Sequence, residues 1–137
     1  MYQMADDLSS VKLLWKNKEL DFYMGGMVEI GGVVYGSTGD KHKWAAVDIE
    51  TGKVLYHEAW GGGKGRGSLI MADDMFYMFD ERRGMMGLAR INPEKLDVVS
   101  EFRITDGSGA YFSHPTIFDG ILYVRHGASL AAYNIKK

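Results

Sequence analysis

The sequence predicts an all-β fold, and three observations support this prediction. Short runs of β-branched, aliphatic and aromatic residues alternate with turn residues, as in Val33-Val34-Tyr35 and Met75-Phe76-Tyr77. Glycine is frequent, with 18 residues, and proline is rare, with 2, which suits strands joined by tight turns. No stretch shows the period of an amphipathic helix over ten residues.

The clearest unit spans residues 45–56 and has the pattern of a strand, a tight turn and a second strand. Small or apolar residues precede Asp48, and the β-branched and aromatic run 54–56 follows the turn. Gly52 accepts a positive φ without steric cost. The Asp48 carboxylate is expected to accept hydrogen bonds from backbone N–H groups of its own turn.

Weaker copies of this unit recur along the chain. Tyrosine returns after intervals of 42 and 46 residues, at Tyr35, Tyr77 and Tyr123. Isoleucine ends the third strand of each copy, at Ile49, Ile91 and Ile135. A period of about 40–50 residues that holds four short strands is typical of β-propeller blades.

A single domain is expected from the length of 137 residues. Residues 1–10 are acidic and polar, and they are predicted to be a flexible N-terminal segment rather than a signal peptide. Blades of four antiparallel strands are predicted at about 24–60, 66–104 and 111–137. The third of these has only three strands, and a strand at 11–16 is expected to supply the fourth.

About three blades leave the propeller incomplete, because closure typically needs four or more. Two faces of apolar surface would then be exposed to water, which favours association. The expected partners are other blades, either from self-association or from the remainder of a longer chain. The fold prediction is therefore a partial propeller, or one that closes by oligomerisation.

Composition excludes several classes of site. The net charge of −2 gives no basic excess for nucleic acid binding. The chain has no cysteine, which excludes disulfides, thiolate nucleophiles and cysteine-ligated zinc. No apolar run approaches the ~20 residues that span a bilayer, so no transmembrane segment is predicted. The 9 methionines are scattered and are expected to fill the core rather than bind copper.

The repeated unit resembles the quinoprotein-like (PQQ-like) β-propeller repeat, from Val11 onward. That repeat has an apolar strand, Asp-Gly, a strand ending in Tyr, and then Ala-x-Asp-x-x-Thr-Gly-x-x-x-Trp. The matching segments are 46–53, with Tyr56 in the place of Trp, and 119–123, with the ending 130–134. The middle copy departs from the pattern, with Arg90 for the Asp and Pro93-Glu94 for Thr-Gly.

The resemblance implies a periplasmic or extracellular location. The family includes quinone-dependent alcohol dehydrogenases and the outer-membrane assembly lipoprotein of Gram-negative bacteria. Its dehydrogenases hold the quinone with a vicinal Cys-Cys ring, a stacking Trp and a calcium ion. This chain has no cysteine and no carboxylates spaced as calcium ligands, so the resemblance carries over no cofactor or metal site.

A glycine-rich loop at 61–68 contains Lys64 and Arg66. A phosphate-binding loop needs adjacent Gly-Lys-Ser/Thr at the start of a helix, whereas here Lys64 and Ser68 are separated and a strand follows. The alternative is a connection between blades at one mouth of the ring. In that position Lys64 and Arg66 are candidates for contact with a small anionic ligand.

Tyr111 and His114 are the other candidates for the channel mouth. His114 precedes an innermost strand near the predicted central channel, and histidine titrates close to neutral pH. The alternative is that His114-Pro115 is only a turn feature at the start of the strand.

The sequence contains no catalytic constellation. The function predicted is a non-catalytic binding or assembly scaffold, with a protein or a small anionic ligand at the channel mouth. The alternative is a fragment of a quinone- or metal-dependent dehydrogenase whose catalytic residues lie on missing blades.

Overall fold

The computed structural model describes residues 1–39, 42–60 and 65–136, with the backbone alone at Tyr23 and Met24. Within these residues the fold is all-β, as predicted. The strands are β1 (Tyr2–Met4), β2 (Val11–Leu13), β3 (Phe22–Ile30), β4 (Val33–Thr38), β5 (Trp44–Asp48), β6 (Val54–Glu58), β7 (Gly67–Ala72), β8 (Met75–Asp80), β9 (Met85–Arg90), β10 (Asp97–Arg103), β11 (Thr116–Phe118), β12 (Ile121–His126) and β13 (Ser129–Asn134).

The strands form antiparallel sheets in chain order, which is the arrangement of partial propeller blades. The first sheet is β3-β4-β5-β6, the second sheet has the neighbours β7-β8-β9-β10, and the third sheet is β11-β12-β13. Strands β1 and β2 form a separate N-terminal hairpin. None of the described residues is helical, so none of them belongs to a helix that could cross a membrane.

The first turn of each of the three larger sheets has the same conformation. Two residues with positive φ separate the first and second strands: Gly31-Gly32, Asp73-Asp74 and Asp119-Gly120. Positive φ at both central residues matches the right-handed twist of a hairpin, and Gly and Asp tolerate it best. The first two strands of each sheet therefore start from the same geometry.

The repeated tyrosine has the same position in all three sheets. Tyr35, Tyr77 and Tyr123 are each the third residue of the second strand. Side chains alternate between the two faces of a sheet, so the tyrosine defines one face of each sheet. We call this the Tyr face and the other the opposite face.

Two apolar cores join the sheets in one repeated order. In the first core, the Tyr face of the first sheet packs on the opposite face of the second, and the rings of Tyr35 and Phe76 lie 4.8 Å apart. In the second core, Phe79 on the Tyr face of the second sheet packs with Leu122 and Val124 on the opposite face of the third. The Tyr face of one sheet thus always meets the opposite face of the next.

The innermost strands of the first two sheets approach at two glycines. A Cβ at Gly25 would collide with the backbone of Gly67. The Ser37 hydroxyl donates to the Gly67 carbonyl oxygen at 2.8 Å and accepts from the Gly67 N–H at 3.1 Å. This contact fixes β3 and β7 side by side, which positions the loop before β7 at one end of the sheets.

The N-terminal region differs from the sequence prediction. Residues 1–10, predicted to be flexible, contain strand β1, which pairs with β2. The strand expected at 11–16 ends at Leu13 and does not join the third sheet. The reason is Trp15, which leaves the strand: its Nε1 donates to the Ile49 carbonyl oxygen at 2.8 Å and its ring lies over Gly52.

The segment 15–22 covers the opposite face of the first sheet. Phe22 lies against Gly36, and the Asn17 amide donates to the Gly52 carbonyl oxygen at 2.9 Å. Val47, on that face, is only 2% exposed. Of the two apolar faces expected to be open, this one is therefore largely covered by the chain itself.

The Tyr face of the third sheet is open. Leu130 occupies the position that Trp44 holds in the first sheet. Each of them is the cross-strand partner of the residue two places after the repeated tyrosine. Trp44 is 2% exposed, whereas Leu130 is 68% and Phe118 is 74% exposed. Within the described residues β13 is also an edge strand, with no fourth strand beside it.

Candidate functional site

A cleft of about 440 Å³, which we call the mouth cleft, lies where the loops before β7, after β8 and before β11 meet. It includes Arg66 and Tyr111, two of the residues that the sequence indicated. The other lining residues are His42, Glu81, Arg82, Gly109, Ala110 and Phe112. Basic and aromatic side chains share this cleft with one carboxylate.

Arg66 is held by the protein itself. Its Nε donates to the buried carboxylate of Glu81, and its Nη1 donates to the Gly39 carbonyl oxygen at 3.0 Å. The Glu81 N–H in turn donates to the Arg66 carbonyl oxygen at 2.9 Å. Glu81 therefore offsets the charge of Arg66, and much of the guanidinium is committed to holding two loops together.

Arg82 gives the cleft its more accessible cation. Its Nη1 lies 3.2 Å from Nε2 of His42, an exposed contact. The backbone of its loop is anchored by Asp80. The fully buried Asp80 carboxylate accepts from the Arg82 N–H at 2.9 Å and from Arg83 Nε at 2.8 Å. The position of Arg82 is thus set by its backbone, while its side chain faces outward.

Tyr111 forms the aromatic wall and stacks on His126. The two rings are 3.7 Å apart and nearly parallel, at 18°. His126 is 4% exposed, and both of its ring nitrogens face carbonyl oxygens: Nδ1 at 2.8 Å from Asp106 and Nε2 at 2.9 Å from Gly109. The His126 ring is therefore held between two carbonyl oxygens of the loop before β11, which fixes the face on which Tyr111 stacks.

The structure separates the remaining candidates. Lys64 lies outside the described residues. His114 is exposed and lies next to Gly26 of β3, and it is not among the residues that line the cleft. Of the four candidates, Arg66 and Tyr111 are the two that the structure brings together.

A second site is an apolar groove of about 650 Å³ beside the edge strand β13, which we call the edge groove. Its lining comes from the Tyr face of the second sheet and from the third sheet. The residues are Asp73, Met75, Tyr77, Met86, Gly87, Leu88, Arg90, Val99, Ser100, Phe102, Leu122, Tyr133, Asn134 and Ile135. Val99 and Phe102 are 38% and 40% exposed there.

The equivalent place between the first and second sheets is filled. There the fourth strand of the second sheet, β10, lies against the end of the first sheet, and the Trp60 Nε1 donates to the Glu101 carboxylate on β10 at 2.8 Å. The Glu58 carboxylate on β6 accepts from the Leu96 N–H at 3.2 Å. The edge groove thus has the position of a fourth strand that the described part of the third sheet lacks.

Partial burial affects the phenols that line the edge groove. Burial, with a smaller contribution from Asp73, raises the pKa of Tyr77. Burial, with a smaller contribution from Asp106, likewise raises the pKa of Tyr133. Both side chains therefore stay neutral over the physiological range and present apolar rings to the groove.

Sequence reasoning missed the edge groove and most of the mouth cleft. Glu81 and Arg82 line the cleft from the loop after β8, and His126, the last residue of β12, supports Tyr111 from a distant part of the chain. The one local signal was charge density, since residues 80–83 are all charged. Among the residues that the structure describes, no group of three or more His, Cys, Asp or Glu side chains is placed to hold a metal ion.

Compared with known protein families and with curated proteins, the sequence matches no family model and no curated relative.

Proposed function

We propose that this chain is a non-catalytic assembly scaffold whose third sheet accepts a strand from outside its own three sheets. The donor is another copy or the remainder of a longer chain. The observation that carries the proposal is the edge groove, an apolar cleft beside the edge strand β13. An edge strand next to an apolar groove recruits an extended segment through main-chain hydrogen bonds and alternate side chains.

Two further features support this function over catalysis. The exposed Leu130 and Phe118 extend the apolar surface around β13 onto the Tyr face of the third sheet. The buried carboxylates at the mouth cleft are each bound to an arginine, Glu81 to Arg66 of the loop before β7 and Asp80 to Arg83 of the loop after β8. These contacts position loops, whereas a catalytic carboxylate would face a substrate.

Membership of the PQQ-like repeat class, and with it a periplasmic or extracellular location, belongs to the same proposal. The repeated tyrosine, the equivalent first turns and the chain-order sheets support it.

A peptide added in trans tests strand acceptance. The peptide has the sequence of residues 96–103, which forms the fourth strand of the second sheet and carries Val98 toward the first sheet. We expect saturable binding by fluorescence anisotropy, together with slower amide hydrogen exchange in β13. The hydrogen-exchange measurement distinguishes docking of the peptide at β13 from replacement of the chain's own β10 by the peptide.

The matched control is the same peptide with Leu96→Asp and Val98→Asp, which keeps its length but places charges on the side chains that pack against the neighbouring sheet in β10. This control should not slow exchange in β13. Equal effects of both peptides, or no effect of either one at any concentration, would contradict strand acceptance.

A small anion at the mouth cleft is the second candidate function. The observation that favours it is Arg82, which projects into a cleft rimmed by Tyr111 and the 65% exposed Phe112. Titration with inorganic phosphate, followed by NMR shifts of the loop amides, tests it. Shifts that saturate and that disappear in Arg82→Gln support the site, and shifts retained in that variant exclude it.

A further inference from the structure

We infer that the donor strand is β2 of a second copy of this chain, which docks beside β13 so that the N-terminal hairpin of one copy completes the third sheet of another. This inference rests on the proposed function and names its partner. It goes beyond strand acceptance in general, because it assigns both surfaces to the same chain.

The N-terminal hairpin has no packing partner among the described residues of its own chain. Every residue of β1 and β2 is exposed, and the side chains include several large apolar ones. These are Tyr2 at 63%, Met4 at 57%, Val11 at 61%, Leu13 at 49% and the following Leu14 at 45% exposed. A two-stranded hairpin is marginal in water unless one face is buried, so this hairpin fits a role as a docking element.

The alternation of β2 fits the edge groove. Val11 and Leu13 share one face of the strand, and Lys12 lies on the other. In an antiparallel pairing with β13, Val11 and Leu13 fill the groove while Lys12 lies on the open Tyr face. The fourth strand β10 provides the precedent within the chain, since its Val98 packs against the neighbouring sheet.

The chain's own β2 cannot reach β13 while Trp15 keeps its place. Trp15 is anchored on the opposite face of the first sheet. The third sheet lies two sheet spacings away, at least ~20 Å, since packed sheets are ~10 Å apart. The four Cα–Cα steps from Val11 to Trp15 span at most ~14 Å. A β2 strand that fills the groove must therefore belong to another copy.

Each copy carries one hairpin and one edge groove, so a two-fold pair buries both elements twice. A stable dimer needs about 800 Å² from each partner. The accessible surface of the chain is 8244 Å², so the required share is about a tenth of it. The exposed apolar side chains of the hairpin on one copy, and the edge groove with Leu130 on the other, supply the apolar area for this contact.

Disulfide cross-linking tests the contact, and the absence of native cysteine makes the chain a clean background. One variant carries Lys12→Cys. Partner variants carry Leu130→Cys, Ala132→Cys or Asn134→Cys, which share the Tyr face of β13. The partner is labelled with ¹⁵N, so that mass spectrometry identifies mixed dimers. We expect one of the three mixtures to give a mixed disulfide in high yield, because bonding requires Cβ atoms ~4 Å apart.

The control partner is Glu94→Cys, an exposed turn residue away from β13, which should give only background cross-linking. Adding Val11→Asp and Leu13→Asp to the donor should abolish the specific cross-link. No mixed disulfide above the Glu94→Cys background would overturn the inference. If the 96–103 peptide still slows exchange in β13 in that case, strand acceptance stands and only the donor is wrong; if it does not, both fail.

Discussion

The indole ring of Trp60 lies directly on Gly87, so closely that a Cβ at position 87 would be 2.5 Å from the ring. The glycine lets the ring lie flat on β9, and from there its Nε1 reaches Glu101 on β10. One aromatic side chain therefore ties the end of the first sheet to two strands of the second. This contact has no counterpart at the edge groove, where β9 and β10 line an open cleft.

The Trp60–Gly87 contact predicts a coupled loss of stability. Gly87→Ala should lower the free energy of unfolding by about 2 kcal/mol, because the ring must shift in a packed core. In a Trp60→Ala background the same glycine substitution should cost little. Chemical denaturation of the two single variants and the double variant measures the coupling. Additive losses would mean that the ring does not lie on Gly87.

Alkaline pH should destabilise the fold through Tyr56. Burial raises the pKa of Tyr56 far above its ordinary value of 10.0, and the negative charges of Tyr35 and Glu58 add to the effect. The folded state holds the phenol proton more tightly than the unfolded state. The stabilisation is therefore present below pH ~10 and is lost above it, by up to about 1.4 kcal/mol per pH unit.

Tyr56→Phe is the variant that tests this assignment. Its free energy of unfolding should fall less steeply between pH 9.5 and 11 than that of the native chain. The two slopes should differ by the contribution of ~1 ionising group. Identical slopes would show that Tyr56 does not contribute to the alkaline transition.

His126 should hold the 105–110 loop in place. Its buried ring lies between the carbonyl oxygens of Asp106 and Gly109, at 2.8 and 2.9 Å from its two nitrogens. In His126→Gln the loop amides should exchange faster than in the native chain, with a stability loss of about 1–3 kcal/mol. A loop that exchanges equally slowly in the variant would contradict this role.

Trp15 should be needed to cover the first sheet. Trp15→Ala removes the ring over Gly52 and the hydrogen bond to Ile49. Because the side chain is only half-buried, the loss should be about 2 kcal/mol, below the 3–5 kcal/mol of a fully buried tryptophan. Increased binding of a hydrophobic dye is expected as well. Trp15→Phe keeps an aromatic ring over Gly52 but not the hydrogen-bond donor. Its stability and dye binding should lie between those of the native chain and those of Trp15→Ala.

Local patterns in the sequence predicted the strands and turns that repeat. The turn of Asp48 was predicted and is confirmed: its carboxylate accepts from the N–H groups of Glu50 and Thr51 at 3.1 and 2.8 Å. Hydrogen bonds from the Thr51 hydroxyl and N–H lower the pKa of that carboxyl. Such contacts join residues close in sequence, which is why periodicity and turn signals suffice to predict them.

Contacts between distant segments were not predictable in the same way. Nothing near Trp15 indicates that it leaves its strand, because its partners Ile49 and Gly52 are more than 30 residues away. The stack of Tyr111 on His126 likewise depends on how two loops meet. At the mouth, Arg66 and Tyr111 were found by their position in loops, but the pairing of Arg66 with Glu81 required the fold.

Sedimentation velocity of the full chain over a range of concentrations tests most directly whether two copies complete each other's third sheet. The account predicts a mass that rises from 15.3 kDa toward twice that value. It also predicts that Val11→Asp with Leu13→Asp abolishes the rise. A mass that stays at 15.3 kDa up to high micromolar concentration, or a dimer that is indifferent to these two substitutions, would contradict it.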